Sequence, residues 1–289
     1  MTSLSERALM VTLSVSSWQG RKFDSAETSA VNRKHGLTIQ AARVNKALLP
    51  KGTELSTLQQ VIGTIRKDYE RRTLPWGIDG MRILKAEAYM DFSYEVNFWR
   101  DQWETAKDDF LRAYPSLKAD AFNTLGSLYN PDDYPDVDHL SRLFRFDVKF
   151  MPIADEKDWR IDVGDEARAQ LEANIRSHLI EVESTAMTAA WSRVQEVVEK
   201  MVERLSDPTT IFRNSLVDNA MELCSILPSL NIANDPDLEG VRKTIESTLS
   251  RYVGDVDTLR HDPIERTATA DKMAEVLRKM AGYMPQRGA

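Results

Sequence analysis

The longest uninterrupted helical pattern in the chain is DEARAQLEANIRSHLIEVESTAMTAAWSRVQEVVEKMVERL, residues 165–205. Neither proline nor glycine interrupts it, and its apolar side chains recur at helical spacing. Several apolar pairs repeat after eleven residues, among them Leu171 with Val182 and Val194 with Leu205. An eleven-residue repeat is typical of nearly straight or slightly right-handed packing between helices, so we expect coiled-coil-type contacts. At about 1.5 Å per residue the helix is on the order of 60 Å long.

A second helical pattern runs from about Asp79 to Leu117. Its apolar residues from Met81 onward, with Trp99 and Trp103 as predicted core residues, recur every three or four positions. That spacing averages the 3.6-residue period of an α-helix with one apolar face. The two long patterns predict an antiparallel arm of two amphipathic helices, with a loop and strand insert at residues 119–164.

Two segments alternate apolar and polar residues, at 11–18 and at 144–151. This alternation predicts half-buried strands, and we expect the two strands to pair because a lone strand is not stable. The fold class predicted from all these patterns is mostly α with a small antiparallel β element (α+β). A C-terminal helical bundle completes it.

The remaining signals set the predicted domain organisation. A capping-box spacing at Ser56 and Gln59 predicts a helix from there to about Arg72, while residues 21–52 are polar and predict no element. Asp-Pro pairs at 207, 235 and 262 predict three helix starts. We therefore expect a basic region 1–80 with one strand and one helix, a helical hairpin at 81–206, and a three-helix region at 207–289.

Composition excludes several classes of protein. The chain has 289 residues, a net charge of −7, 42% hydrophobic residues and one cysteine. A single cysteine excludes a disulfide framework and a Cys-rich zinc site, and it fits a reducing compartment. Apolar runs stay below the roughly 18 residues of a membrane span, and the short stretch at 8–15 is unlike a signal peptide. We therefore expect a cytoplasmic protein that does not enter a membrane.

Charge is unevenly distributed, with +5 in residues 1–80 and −12 in the remainder. Cationic and aromatic side chains together bind single-stranded nucleic acid, by neutralising phosphates and stacking on bases. The alternative is that the two tryptophans fill the ends of elements and the cations are solvated. The candidate nucleic-acid or partner-binding residues are Trp18, Arg21, Lys22, Arg71, Arg72 and Trp76.

A second candidate site is acidic. Four aspartates beside His139 suggest a docking loop for a basic partner, and the alternatives are a solvated loop or a hard-cation site. Their spacing matches no EF-hand, and Pro135 interrupts them, so we predict neither a metal nor a cofactor. The four residues of this acidic loop are Asp132, Asp133, Asp136 and Asp138.

No catalytic motif is found in the sequence. A P-loop, a dinucleotide-binding glycine motif and an H-E-x-x-H motif are all missing, and the four histidines lie in four different segments. Cys224 lies on an apolar helix face, where a free cysteine behaves as a small hydrophobic residue. We therefore expect no enzymatic activity and no catalytic residue.

The opening segment LSVSSWQGRK, residues 13–22, together with Asp24, resembles a domain-of-unknown-function family of tailed-phage and mobile-element proteins. Members share an LSVSxWxGRK-type start and a helical region similar to residues 80–205. Family genes lie near MoxR-type AAA ATPases and von Willebrand A-domain proteins. The resemblance implies an adaptor or recruiting role in a bacterial host, and it carries over no catalytic residue.

Three functions follow as hypotheses. The first is a non-enzymatic phage or mobile-element protein that self-assembles into homo-oligomers or acts as an adaptor to a partner machine such as an AAA ATPase. The second is a nucleic-acid-binding protein of phage replication or recombination that uses the basic residues 1–80. The third is an acidic inhibitor or DNA mimic, suggested by the −12 of residues 81–289.

Overall fold

The computed structural model describes residues 3–37, 39, 41–78, 80–155 and 164–282. The strands are β1 (Ala8–Ser16), β2 (Arg21–Phe23), β3 (Asn45–Ala47), β4 (Leu74–Pro75), β5 (Met81–Lys85) and β6 (Arg145–Pro152). The helices are α1 (Leu4–Arg7), α2 (Ser25–Lys34), α3 (Glu54–Arg72), α4 (Tyr89–Leu125), α5 (Val137–Ser141), α6 (Asp165–Ser206), α7 (Ser215–Leu230), α8 (Pro236–Leu249), α9 (Asp257–His261) and α10 (Pro263–Met280). The predicted fold class, mostly α with a small antiparallel sheet, is confirmed.

The larger sheet has the strand order β4-β5-β1-β6. Both predicted strands exist, and they are neighbours as expected. The prediction that residues 81–85 begin a helix is wrong, because this segment is β5, which pairs antiparallel with β1 from Ala8↔Lys85 to Thr12↔Met81. Ile83 and Leu84 are both buried, so the two faces of this inner strand are covered. The three-residue spacing between Met81 and Leu84 fits a helical period only by coincidence.

The chain divides into two compact units. Unit 1 comprises residues 1–12, 70–92 and 149–289, and unit 2 comprises residues 13–69 and 93–148. This division differs from the three predicted segments. The described part of residues 1–80 also holds three helices and four strands where the sequence predicts one of each, because short elements leave no periodic apolar signal.

The core of unit 1 surrounds α6. Helix α6 has nearly the predicted bounds, and its buried side chains run from Val182 to Leu205. The predicted arm assumes that the two long helices are each other's packing partners. Within unit 1, helix α6 packs along α10 and against α7, and its buried side chains belong to the shared core.

The core of unit 2 is built on α3 and α4. Leu58, Ile62 and Ile65 are buried on α3 at helical spacing. Trp99 and Trp103 are buried on α4, as predicted, and the indole N–H of Trp99 donates to Asp68 of α3 at 3.1 Å. Helix α4 continues beyond the predicted end at Leu117 to Leu125, because Ala121 extends its buried face.

Polar side chains organise the segment 21–52, which the sequence predicts to lack regular structure. Asp24 caps α2 by accepting from the backbone N–H of Glu27 at 3.0 Å. The buried Asn32 side chain donates to the carbonyl of Ala42 and accepts from its N–H, both at 3.0 Å. Strands β2 and β3 then pair antiparallel. Because local hydrogen bonds hold this region, hydrophobic periodicity does not detect it.

Two of the three predicted Asp-Pro helix starts are confirmed. Asp235 and Asp262 are the N-caps of α8 and α10, each followed by proline at the first helical position. The prediction at Asp207 is wrong, because its carboxylate accepts from Thr209 and Thr210 in a turn, and α7 begins only at Ser215. The helix predicted from Ser56 begins two residues earlier, at Glu54.

None of the helices in the described ranges combines the length and apolarity needed to cross a bilayer.

Candidate functional site

The predicted basic and aromatic residues divide between the two units. Trp18, Arg21 and Lys22 belong to unit 2, whereas the other three, Arg71, Arg72 and Trp76, belong to unit 1. Trp76 is buried in the core of unit 1, where its ring lies 5.9 Å from that of His178 in an edge-on contact. The burial of Trp76 therefore agrees with the alternative that the tryptophans fill the ends of elements.

The unit 2 part of this set lies beside the acidic loop. A cavity of about 370 Å³, the unit 2 cavity, is lined on one side by Trp18, Arg21 and Lys22. Its other lining residues include Asp132, Asp133, Asp136 and His139, whereas Asp138 is exposed on α5 outside it. Residues of the basic and aromatic set and of the acidic loop, which the sequence predicts as separate candidate sites, therefore line the same cavity.

A tight turn positions the basic side of the unit 2 cavity. Gly20 has φ +63°, where a residue with a side chain is strained, and a Cβ at this position would lie 2.5 Å from Cδ2 of Leu55 and would require that side chain to shift. Trp18, before the turn, lies with its ring 6.2 Å from Phe110 and 5.7 Å from Tyr114. The tryptophan is therefore anchored on the aromatic core of α4.

Ion pairs use part of the charge in the unit 2 cavity. The carboxylate of Asp133 lies 2.7 Å from Nζ of Lys46 and 3.7 Å from Nζ of Lys22. Asp136 accepts from the backbone N–H of His139 at 2.6 Å and caps α5. Two of the four predicted docking carboxylates thus stabilise unit 2 itself, which leaves Asp132 and Asp138 exposed for a partner.

Hydrogen bonds from two tyrosine hydroxyls hold the acidic loop in place in unit 2. Tyr114 donates to the carbonyl of Pro135, and Tyr134 donates to the carbonyl of Leu48, both at 2.8 Å. Burial raises the pKa of each tyrosine to about 12, and neighbouring tyrosines and aspartates add to the effect. Both hydroxyls therefore stay protonated donors throughout the physiological pH range.

A larger concave surface lies in unit 1 between α6 and α7, and we call it the α6–α7 groove. Its volume is about 570 Å³, within the range of ligand-binding clefts. Residues three, four or seven apart on each helix point into it, and the segment between the two helices closes one end. Its apolar lining residues are Val197, Ile211, Phe212, Leu216, Leu223 and Ile226.

Cations outnumber carboxylates along the groove. Glu196 and Glu222 are its two acidic lining residues. The five basic ones are Arg71, Arg193, Lys200, Arg204 and Arg213. The chain as a whole has a net charge of −7, so this concentration of positive charge is local. It lies beside the apolar lining residues of the groove.

Not all five cations are equally available. Arg193 donates to the carbonyls of Glu70, Arg71 and Thr73 at 2.8 to 3.0 Å, so it caps the C-terminal end of α3. Burial lowers its pKa to about 10, with the nearby Arg82 adding to the effect, and the group stays charged at neutral pH. Arg71 forms an ion pair with Glu222.

The outer cations of the groove are freer. In the part of the chain that the structure describes, the side chains of Lys200 and Arg213 make no hydrogen bond or ion pair. Ile211, which also lines the groove, is 91% exposed. The groove thus presents free positive charge next to uncovered apolar surface.

Sequence reasoning finds one groove residue, Arg71, and misses the others. Arg193, Lys200 and Arg204 lie seven and four residues apart, so they share one face of α6 beside its apolar stripe. That spacing is the signal that could have found them. The contribution of α7 could not have been predicted, because it depends on which helices pack together.

The described residues include no group of three or more His, Cys, Asp or Glu side chains placed to hold a metal ion. Cys224 is buried, and burial raises the pKa of its thiol to about 11. The protonated thiol is a poor nucleophile at neutral pH, which agrees with the interpretation of Cys224 as a core residue.

Comparison with models of known protein families, with curated proteins and with solved structures finds no match to this chain.

Proposed function

We propose that this protein is a non-catalytic interaction protein that recognises a protein segment in the α6–α7 groove. The observation that carries the proposal is the combination of an apolar floor with a cationic rim. Apolar grooves of this kind bind one face of an amphipathic helix, and the rim charge selects the sign of the segment's polar face. The partner segment is therefore acidic and amphipathic.

An adaptor role to a machine such as an AAA ATPase remains a prediction of the family resemblance. Recognition of a charged helical segment is compatible with that role.

Nucleic-acid binding has less support. In the unit 2 cavity, Asp132, Asp133 and Asp136 line the same surface as Arg21 and Lys22, and these carboxylates repel phosphates. In the α6–α7 groove the cations border aliphatic side chains such as Val197 and Leu223, and the aromatic lining residue Phe212 is only 5% exposed. Stacking platforms for bases need aromatic faces instead.

Fluorescence anisotropy tests the proposal with two synthetic peptides and the full chain. Both peptides are labelled amphipathic helices with leucine on one face, and the polar face is glutamate in one and lysine in the other. We expect the acidic peptide to bind and the basic peptide not to bind. The paired change Lys200→Glu and Arg213→Glu should weaken binding at least tenfold, about 1.4 kcal/mol.

The matched control is Arg112→Glu, a reversal of an exposed arginine in unit 2, which should leave the affinity unchanged. Equal binding of the two peptides, or no binding of the acidic one, would overturn the proposal.

A further inference from the structure

Helix α4 carries an apolar face that is exposed in the part of the chain that the structure describes. Tyr94 and Phe98 lie one turn apart and are 68% and 57% exposed. They are on the side of the helix opposite to the buried Val96, Trp99 and Trp103. Contiguous exposed apolar patches mark sites of protein interaction, and these two rings are neighbours on one face of the helix.

The same face is acidic farther along the helix. Positions 94, 98, 101, 105 and 108 are three or four residues apart and therefore form one line on α4. Asp101 and Asp108 are both exposed on this line, and Asp108 lies 3.2 Å from Nζ of Lys107. We call the line Tyr94, Phe98, Asp101, Thr105 and Asp108 the α4 face. It is an acidic, aromatic surface on a preformed helix.

The α4 face has the chemistry that the α6–α7 groove requires. The groove offers apolar Val197, Ile211 and Leu223 beside the free cations Lys200 and Arg213. Aromatic side chains of a docked helix would cover the apolar floor, and an aspartate one turn later would meet the rim. Docking an already folded helix also avoids the entropy of ordering a flexible peptide.

We infer that the α6–α7 groove of one copy binds the α4 face of a second copy. This inference rests on the proposed function and names the partner as the chain itself. The two contacting surfaces differ, so the contact is heterologous and joins copies head to tail. Each added copy exposes one new groove and one new α4 face, and the assembly grows until it closes as a ring or continues as a filament.

Two complementary variants test the inference by sedimentation velocity. The groove variant carries Lys200→Glu and Arg213→Glu, and the face variant carries Tyr94→Ser and Phe98→Ser. All four side chains are exposed, so both variants should keep the wild-type far-ultraviolet circular dichroism. The control variant is Lys272→Glu, which reverses an exposed lysine of α10 outside both surfaces.

The wild-type chain and the control should form species larger than dimers as concentration rises, whereas each variant alone should stay monomeric. An equimolar mixture of the two variants should form a capped one-to-one dimer, because one supplies an intact α4 face and the other an intact groove. A mixture that stays monomeric, or variants that assemble like the wild type, would overturn the inference.

The failure of this inference is distinguishable from the failure of the proposed function. A wild-type chain that stays monomeric but binds the acidic peptide in its groove retains the function with another partner. A wild-type chain that neither assembles nor binds the acidic peptide would contradict both proposals.

Discussion

Replacing Arg266 with methionine should destabilise unit 1 and disturb one end of the α6–α7 groove. Arg266 lies on α10 and is 6% exposed, and its side chain reaches the C-terminal end of α6. Its guanidinium donates to the carbonyls of Leu205 at 3.0 Å, Arg204 at 2.8 Å and Thr210 at 2.9 Å, and also to that of Asp207. Its Cζ lies 5.2 Å from the ring centroid of the groove residue Phe212.

The expected cost follows from these contacts. Methionine retains most of the aliphatic packing but leaves the carbonyls without their donor. A buried acceptor that loses its partner costs about 1–3 kcal/mol, and at the lower end of that range the three bonds of ordinary length amount to about 3–5 kcal/mol. With m of about 3 kcal/mol/M, the urea midpoint of Arg266→Met should fall by about 1–1.7 M.

Urea unfolding followed by circular dichroism measures this change. The matched control is Arg112→Ala, which removes a 76% exposed arginine and its ion pair with Asp109. The control should change the free energy of unfolding by less than about 0.5 kcal/mol. If the midpoints of Arg266→Met and Arg112→Ala were the same, the role given to Arg266 as the cap of α6 would be wrong.

Three further predictions concern single side chains. Asp133→Asn should lower the free energy of unfolding by about 2–3 kcal/mol because it breaks a largely buried ion pair. The change of the exposed neighbour, Asp132→Asn, should lower it by less than about 0.5 kcal/mol. Equal urea midpoints of the two variants would contradict this prediction. Cys224 has a pKa raised to about 11 by burial, so iodoacetamide should label it only in denaturant, and rapid labelling of the native chain would contradict its place in the core. Hydrogen bonds, chiefly from Thr209, hold the pKa of Asp207 below its ordinary value of 3.8, so its contribution to stability is present above that value and is lost as the pH falls through the lower, folded-state pKa. The stability advantage of the wild type over Asp207→Asn, measured by urea unfolding, should therefore be present at neutral pH and shrink as the pH falls below 3.8, and an advantage independent of pH would contradict the assignment.

Long periodic helices and alternating strands could be predicted from the sequence, because burial of one face leaves a repeating apolar pattern. Helix α6 and the neighbouring strands β1 and β6 are found close to their predicted positions. Strand β5 could not be recognised in this way, because both of its faces are buried and its spacing also fits a helix. The elements between 21 and 47 depend on side chains such as Asn32, whose hydrogen bonds leave no periodic trace.

The candidate sites were predictable only in part. Trp18, Arg21 and Lys22 could be selected as a cationic and aromatic group, but their meeting with Asp133 depends on tertiary contacts. The α6–α7 groove needs two helices that are packed side by side, and local sequence does not specify which helices pair. The exposed Tyr94 and Phe98 were detectable as apolar positions outside the buried stripe of α4.

The most direct test of the central claim is hydroxyl-radical footprinting of the wild-type chain at low and high concentration, since oxidation reports the solvent exposure of each side chain. Tyr94 and Phe98 of the α4 face and Ile211 of the groove should lose reactivity together as concentration rises. Phe122 and Ile264, which are 63% and 80% exposed, lie outside both surfaces and should keep their reactivity. Unchanged oxidation of Tyr94 and Ile211, or an equal loss at Phe122 and Ile264, would contradict recognition of the α4 face by the α6–α7 groove.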